Sequence, residues 1–162
     1  MPKTDWTHWQ PKLRATLMFI IDEEAQQVLL IRKKRGLGAG KINGPGGTLD
    51  PGETSLECAI RETVEELHVT AIAPQKHGEL WFQFTDGLSM IVDVFLATAW
   101  TGNPTETDEA IPLWTEIAKL PFQEMWADDA LWLERTLTQR DSFLGKFEFD
   151  DDTMLGHSLE WT

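Results

Sequence analysis

Two continuous apolar runs open the chain, "ATLMFIID" (Ala15–Asp22) and "QQVLLIRK" (Gln26–Lys33), both rich in β-branched residues and separated by the acidic turn "DEEA". They are too short and too uniformly apolar for amphipathic helices, and they predict a buried strand pair. "KKRGLGAGKINGPGG" (Lys33–Gly47) then reads as a loop of glycine and lysine, with room for a short strand near Ile42–Gly44. "DPGETS" opens a helix: Pro51 breaks what precedes it, and Thr54 or Ser55 can cap the helix start. Three strand-like segments follow, "HVTAIAP", "GELWFQFT" and "LSMIVDVFLATAW". The polar loop "TGNPTETDEAIP" runs into another short strand, and "WADDALWLERTLTQ" is a second helix with an aspartate at its start. "FLGKFEFDDDTMLGHSLEW" alternates like a closing hairpin. With no internal repeat, linker or low-complexity tract, the pattern predicts one α/β domain over residues 15–162 with a mostly mixed or antiparallel sheet. Residues 1–14, polar apart from Trp6 and Trp9, are expected to form a flexible or loosely docked arm.

The first helix carries the unusual chemistry. At about 100° per residue, Leu56, Ile60, Thr63 and Leu67, with Ala59 beside them, form a stripe expected to face the core. Glu62, Glu65 and Glu66 are expected on the opposite side, at spacings that bring like charges together at a cost of a few tenths of a kcal/mol per exposed pair. The negative end of the helix dipole lies close by and adds to that cost. Either this is an ordinary solvated face, or a divalent cation such as Mg²⁺ reverses the sign of the interaction, since hard cations take carboxylate oxygens. His68 stands where the helix stops. Histidine tolerates the left-handed conformation that glycine favours there, and the expectation is that it ends the helix at a cost of about 1 kcal/mol without joining the chemistry.

Charge narrows the classes of partner. The formal net charge of -13 repels nucleic acids and anionic membranes at long range, so a small polyanion could bind only with help from local cations. The single cysteine, Cys58, excludes an internal disulfide and suits a reducing compartment. The start "MPKTDWTHWQPK" lacks the apolar core of a signal peptide, and no run approaches the roughly 20 apolar residues of a membrane helix; a cytoplasmic protein is expected. Eight tryptophans and no tyrosine leave room for indoles that act as stacking surfaces rather than core.

Read outward from the helix, Gly47, Glu53, Arg61-Glu62 and Glu65-Glu66 stand at the spacing G-x5-E-x7-R-E-x2-E-E, with Val69 three residues on. This resembles the Nudix box. Thr63 departs from its bulky aliphatic and His68 from its last glycine. Beyond the box, "KKRGLGAGKINGPGG", "GELWFQF", "TETDEAIPLW", "LPFQEMWADDALW" and "GKFEFDDDT" resemble the eukaryotic-type MutT homologues among the Nudix hydrolases. The resemblance implies an α/β/α sandwich around a mixed sheet. It also implies release of pyrophosphate, dependent on Mg²⁺ with Mn²⁺ as a possible substitute, from oxidised purine nucleoside triphosphates such as 8-oxo-dGTP and 2-hydroxy-dATP. The rival substrates are ADP-ribose, dinucleoside polyphosphates and capped RNA; a non-catalytic nucleotide-binding module would be expected to lack a box carboxylate. The implied partner is a small nucleotide, with no stable nucleic-acid or membrane binding and a monomer or weak dimer as the assembly.

The same resemblance assigns roles. Glu62, Glu65, Glu66 and Glu109, with the backbone at Gly46, are the implied metal ligands. Glu65, Glu66 and Glu109 are alternatives for the group that accepts the water proton, and Glu53 with Arg61 braces the loop against the helix. From the residues themselves, Lys33-Lys34-Arg35 beside "GLGAGK" is the densest basic patch of the chain, either a solvated hairpin end or a triphosphate contact, with Lys33 at the end of the second strand the candidate. Asn43, Trp126, Asp128 and Asp129 are implied in reading the purine, and Leu37, Phe82, Phe84, Met90 and Trp132 in walling its pocket. Leu37 stands where an aromatic is common, and Ala127 where a proline is. Taken alone, several of these residues have plainer readings: "NG" is a turn dipeptide, Asp128 a good helix cap and Trp126 a core residue.

Overall fold

A computed structural model describes residues 3–162. In chain order the elements are β1 (Leu13–Asp22), β2 (Gln27–Lys33), β3 (Ile42–Asn43), β4 (Gly46–Thr48), α1 (Ser55–Leu67), β5 (Thr70–Ile72), β6 (Gln75–Phe84), β7 (Ser89–Ala97), β8 (Ala99–Thr101), β9 (Ala110–Glu116), α2 (Asp129–Gln139), β10 (Phe143–Asp150) and β11 (Thr153–Trp161). The main sheet runs β11-β10-β6-β7-β1-β2-β3, with β4 added to β1 and β9 to β2. The β1/β7 and β6/β10 pairs are parallel and the others antiparallel, so the sheet is mixed as expected. The expected strand over Leu88–Trp100 divides into β7 and β8, and β8 leaves the main sheet to pair with β5. Among the described residues no helix is long and apolar enough to cross a membrane.

The apolar runs of β1 and β2 are continuous because both sheet faces are covered. Phe19, Ile21, Val28 and Leu30 point to one face, where they meet Trp132, Leu133 and Leu137 of α2. Met18, Ile20, Leu29 and Ile31 point to the other, against Ala59 and Leu67 of α1. Two helices on opposite faces of one sheet make the α/β/α sandwich.

One expectation is corrected. Leu56 is 42 % exposed, while Cys58, Ala59, Thr63, Glu66 and Leu67 are the buried residues of α1. Glu66 follows Ala59 by seven residues, two turns along, and therefore lies on the core face rather than opposite it. The N-terminal arm is expected to be flexible or loosely docked. From Thr4 onward it is docked: Thr4 donates its N–H and hydroxyl to Glu148 Oε2, each at 2.9 Å. Trp9 stacks on Trp81 with centroids 5.2 Å apart, donates its indole N–H to Gln83 Oε1 at 2.8 Å, and receives the edge of Trp6. Trp81 and Gln83 of β6 and Glu148 of β10 lie on the part of the sheet face that α1, packed over β1, β4, β7 and β9, does not reach. The arm covers that remainder.

Candidate active site

The site forms where β1 and β2 diverge. They pair only near their turn, from Ile20↔Leu29 to Asp22↔Gln27, and residues 42–48 fill the gap beyond: Asn43 pairs with Ile31, and Gly46 with Leu17. The Met18 N–H donates to Pro45 O at 2.8 Å. This thread is glycine because it lies against its neighbours. A Cβ on Gly44 would sit 2.8 Å from the Phe19 ring, one on Gly46 would run into the Thr16 carbonyl, and one on Gly47 would sit 2.5 Å from Glu62 Cδ.

Helix α1 starts on a capping box, with Glu57 N–H donating to Thr54 Oγ1 and Thr54 N–H to Glu57 Oε1. Arg61 grips Glu53 with a two-pronged hold, Nε to Oε2 at 2.6 Å and Nη2 to Oε1 at 2.8 Å. Hydrogen bonds from Arg61, then from the Asp50 backbone, pull the Glu53 carboxyl down to about 2. The other prongs of Arg61 reach Glu62 Oε1 at 2.9 Å, Glu65 Oε2 at 3.1 Å and the Thr48 carbonyl at 3.3 Å. The expected brace between loop and helix is therefore also the partner of two box glutamates. The helix ends on His68 at φ 61°, ψ 34°, its N–H donating to Val64 O at 2.9 Å, in the conformation expected for it.

Glu62, Glu66 and Glu109 converge: one carboxylate oxygen from each lies within 4.8 Å of the others. Glu65 is outside this group and half exposed, its carboxylate turned to Arg61. Glu66 is 4 % exposed, and its Oε2 accepts one bond, from Gly46 N–H at 3.0 Å. Burial first, then the charges of Glu62 and Glu109, push the Glu66 carboxyl up to about 8. Burial likewise raises Glu62, against the pull of Arg61. Three hard oxygen donors, two of them pushed toward the neutral form by burial and crowding, fit a divalent cation. The loop that carries Glu109 is tied down by Thr107 Oγ1–H donating to Glu66 O at 2.8 Å and by Lys34 N–H donating to Glu109 O at 2.9 Å. Glu109 Oε1 accepts from Arg35 Nη2 at 3.1 Å. Neither Thr107 nor Arg35 stood out individually in the sequence, because their roles depend on a loop-to-loop contact that no local spacing encodes.

On the opposite side of the glycine thread, the head of α2 presents Asp128 and Asp129, both almost fully buried. Asp128 occupies the cap position but makes no side-chain cap bond, which corrects the plain reading; its Oδ2 accepts from the indole N–H of Trp132 at 2.9 Å. Among the described residues, Asp128 Oδ1 and Asp129 Oδ2 are buried without a hydrogen-bond partner. Burial raises both carboxyls above the ordinary aspartate range, and the charge of Asp128 raises Asp129 further. Trp126 stands half-buried, edge-on to Phe84 and Phe149, with Lys41 Nζ 5.2 Å from its ring centroid. A Cβ on Gly38 would meet Trp126 Nε1 at 2.8 Å, so the loop 36–40 lies against that indole. Phe82, half-buried, stacks on Phe147, and Phe84, buried, stacks on Phe149; Met90 is half-buried beside them. Asn43 Oδ1 accepts from Gly44 N–H at 2.8 Å. Leu37 is 48 % exposed, and Lys33 Nζ donates to the Leu37 carbonyl at 2.8 Å. Trp132, expected in the pocket wall, is 1 % exposed and stacked on Phe143, with its indole N–H on Asp128 Oδ2.

Known proteins resemble this chain in sequence and in fold. The family model of the NUDIX domain matches residues 11–136. An oxidized purine nucleoside triphosphate hydrolase from Danio rerio is 42 % identical over 90 % of this chain and 92 % of its own length, and the one from Mus musculus is 39 % identical over 89 % and 92 %. The crystal structure of a MutT protein from Bacillus halodurans superposes with a TM-score of 0.81 at 27 % identity, covering 91 % of this chain and 97 % of that one. With most of its length matched by the domain and by full-length relatives, the chain belongs to the Nudix family.

Proposed function

We propose that this protein hydrolyses oxidised purine nucleoside triphosphates, such as 8-oxo-dGTP and 2-hydroxy-dATP, to the monophosphate and pyrophosphate. The observation that carries this reading is the pairing of two differently built carboxylate sites: the Glu62–Glu66–Glu109 trio and, across the glycine thread, the buried Asp128–Asp129 pair with two unpartnered oxygens. The relatives named above as oxidized purine nucleoside triphosphate hydrolases support the same substrate class.

The aspartate pair suits the edge of a modified purine. Two adjacent buried carboxyls cannot both ionise easily, so near neutral pH one retains a proton and donates while the other accepts. Exchange of that proton between them presents either pattern to a base. The side-chain amide of Asn43 keeps its N–H groups for the same edge, and Trp126 offers a ring for stacking. Phe82, Phe84 and Met90 wall the pocket, Leu37 lies at its mouth and Lys33 draws the phosphates.

Glu62, Glu66 and Glu109 would hold the cation, with the backbone at Gly46 beside them. Mg²⁺, with Mn²⁺ as substitute, supplies phosphate neutralisation and acidifies water when bound. Arg61, fixed on Glu53, keeps the helix in register. Glu65 stands outside the trio, which leaves a carboxylate uncommitted to the cation to accept the proton of the attacking water. The water oxygen bonds to phosphorus, the anhydride P–O bond breaks, and pyrophosphate leaves with the electron pair. The experiment is pyrophosphate release with Mg²⁺ across 8-oxo-dGTP, 2-hydroxy-dATP, dGTP, ADP-ribose and capped RNA. The oxidised purines should lead, and Asp128→Ala should raise KM for them; if ADP-ribose is turned over an order of magnitude faster, the proposal fails.

A further inference from the structure

The three cations of the basic stretch Lys33–Arg35 have different partners. Lys33 Nζ is held by the Leu37 carbonyl, Lys34 Nζ by Glu106, and Arg35 by Glu109. Only Arg35 touches a member of the carboxylate trio. The loop that carries Glu109 does not need this contact for its position. Lys34 N–H donates to Glu109 O, Thr107 Oγ1–H to Glu66 O and Thr107 N–H to Ala110 O, and none of these touches the Glu109 carboxylate. The Arg35 side chain is 65 % exposed and that of Glu109 38 %, so water and salt screen the pair and the bond is easily exchanged. A dication shared by three carboxylates is the stronger partner for the same group.

We propose that Arg35 is an exchangeable counter-ion of the site: it holds Glu109 while no cation is bound, and is freed to take a phosphate of the incoming nucleoside triphosphate when Glu109 turns to the cation. The arrangement serves a chain of net charge -13 that must admit a polyanion. The guanidinium stays neutralised until the cation arrives, and then faces the substrate with its planar fork unpaired. The phosphate half of this inference rests on the hydrolase reading above; the counter-ion half does not.

Titration with Mn²⁺ alone, without nucleotide, separates the roles. If Arg35 competes for Glu109, Arg35→Gln binds Mn²⁺ about two- to five-fold more tightly than the parent, the size of an exposed ion pair. A merely structural Arg35 gives the opposite sign. Lys34→Gln removes the same charge one residue away, from a side chain that does not touch Glu109, and reports the bare field; a gain equal to that of Arg35→Gln overturns the proposal, as does unchanged or weaker Mn²⁺ binding by Arg35→Gln. In turnover, Arg35→Gln should raise KM for 8-oxo-dGTP about five- to tenfold, the loss of a charged phosphate contact, with kcat nearly unchanged. An unchanged KM overturns the release to phosphate. Should no oxidised purine triphosphate be hydrolysed at all, the hydrolase reading fails while the Mn²⁺ titration still decides the counter-ion role.

Discussion

Glu66 should make the metal-free protein less stable than a variant that lacks its charge. The side chain is 4 % exposed, accepts one backbone hydrogen bond, and faces Glu62 and Glu109. Its carboxyl, ordinarily at 4.5, is pushed up to about 8 in the fold. The fold therefore favours the protonated form. Its stability is fully present below pH 4.5 and falls by about 1.4 kcal/mol for each pH unit between the two values. That amounts to about 3 kcal/mol at pH 7 and about 5 kcal/mol above pH 9. Glu66→Gln keeps the shape and an oxygen for Gly46 N–H but cannot ionise. In urea denaturation with EDTA, the variant should match the parent near pH 4.5 and exceed it by about 3 kcal/mol at pH 7, the gap widening as pH rises. Excess Mg²⁺ should close the gap by stabilising the parent alone. At pH 7 cation binding should also release protons, readable in a weakly buffered solution. A gap that stays flat with pH refutes the burial argument. A gap of reversed sign means that the folded protein already provides the anion with a partner.

Three further outcomes test other parts of the structure. Arg61→Lys cannot grip Glu53 with two prongs while reaching Glu62 and Glu65, so steady-state kcat/KM should fall about 10- to 100-fold although the charge is kept. His68→Gly should raise stability by about 1 kcal/mol in urea denaturation, because φ 61° strains histidine and not glycine, and should leave turnover unchanged. Trp9→Ala removes the stack on Trp81 and the bond to Gln83, and should cost about 1–2 kcal/mol by thermal or urea denaturation, whereas a truly loose arm would give no change.

The sequence was most legible where function fixes residue types at fixed spacing. Gly47, Glu53, Arg61 and the glutamates could be ordered along the chain because one loop and the helix that follows it carry them all, and the brace between Glu53 and Arg61 joins that loop to the helix. The buried runs of β1 and β2 were equally plain, since covering both faces of a strand leaves no polar position. Legibility ended where residue types have two uses. Asp128 is an ordinary helix cap by type, yet its carboxylate is taken by Trp132, a partner one turn on that competes for the same oxygen. The tryptophans of the arm are ordinary for a loose tail until one sees that α1 leaves part of the sheet uncovered, which depends on where a helix lands rather than on any local pattern.

The misjudged face of α1 explains the wider behaviour of the site. A stripe chosen by hydrophobicity alone leaves out Glu62 and Glu66, since burying carboxylates beside Ala59 and Thr63 looks like an error in a stable helix. Here the same face has to meet the core at Leu67 and the cation site at Glu66, so the apolar and acidic stripes overlap instead of opposing each other. The costs sit on either side of the thread: Glu66 pushed toward its neutral form with the strained His68 two residues on, and, across it, two aspartate oxygens without hydrogen-bond partners among the described residues. Around these stand two well-packed layers of Phe, Leu, Ile and Val on either side of the sheet. Cation and nucleotide binding would each remove one of the local costs, since the first gives the carboxylate trio a partner and the second pairs the buried aspartates. The two gains in stability should therefore arise at different residues, Glu66 for the cation and Asp128 for the nucleotide, and mutations at one should leave the other's stabilisation in place.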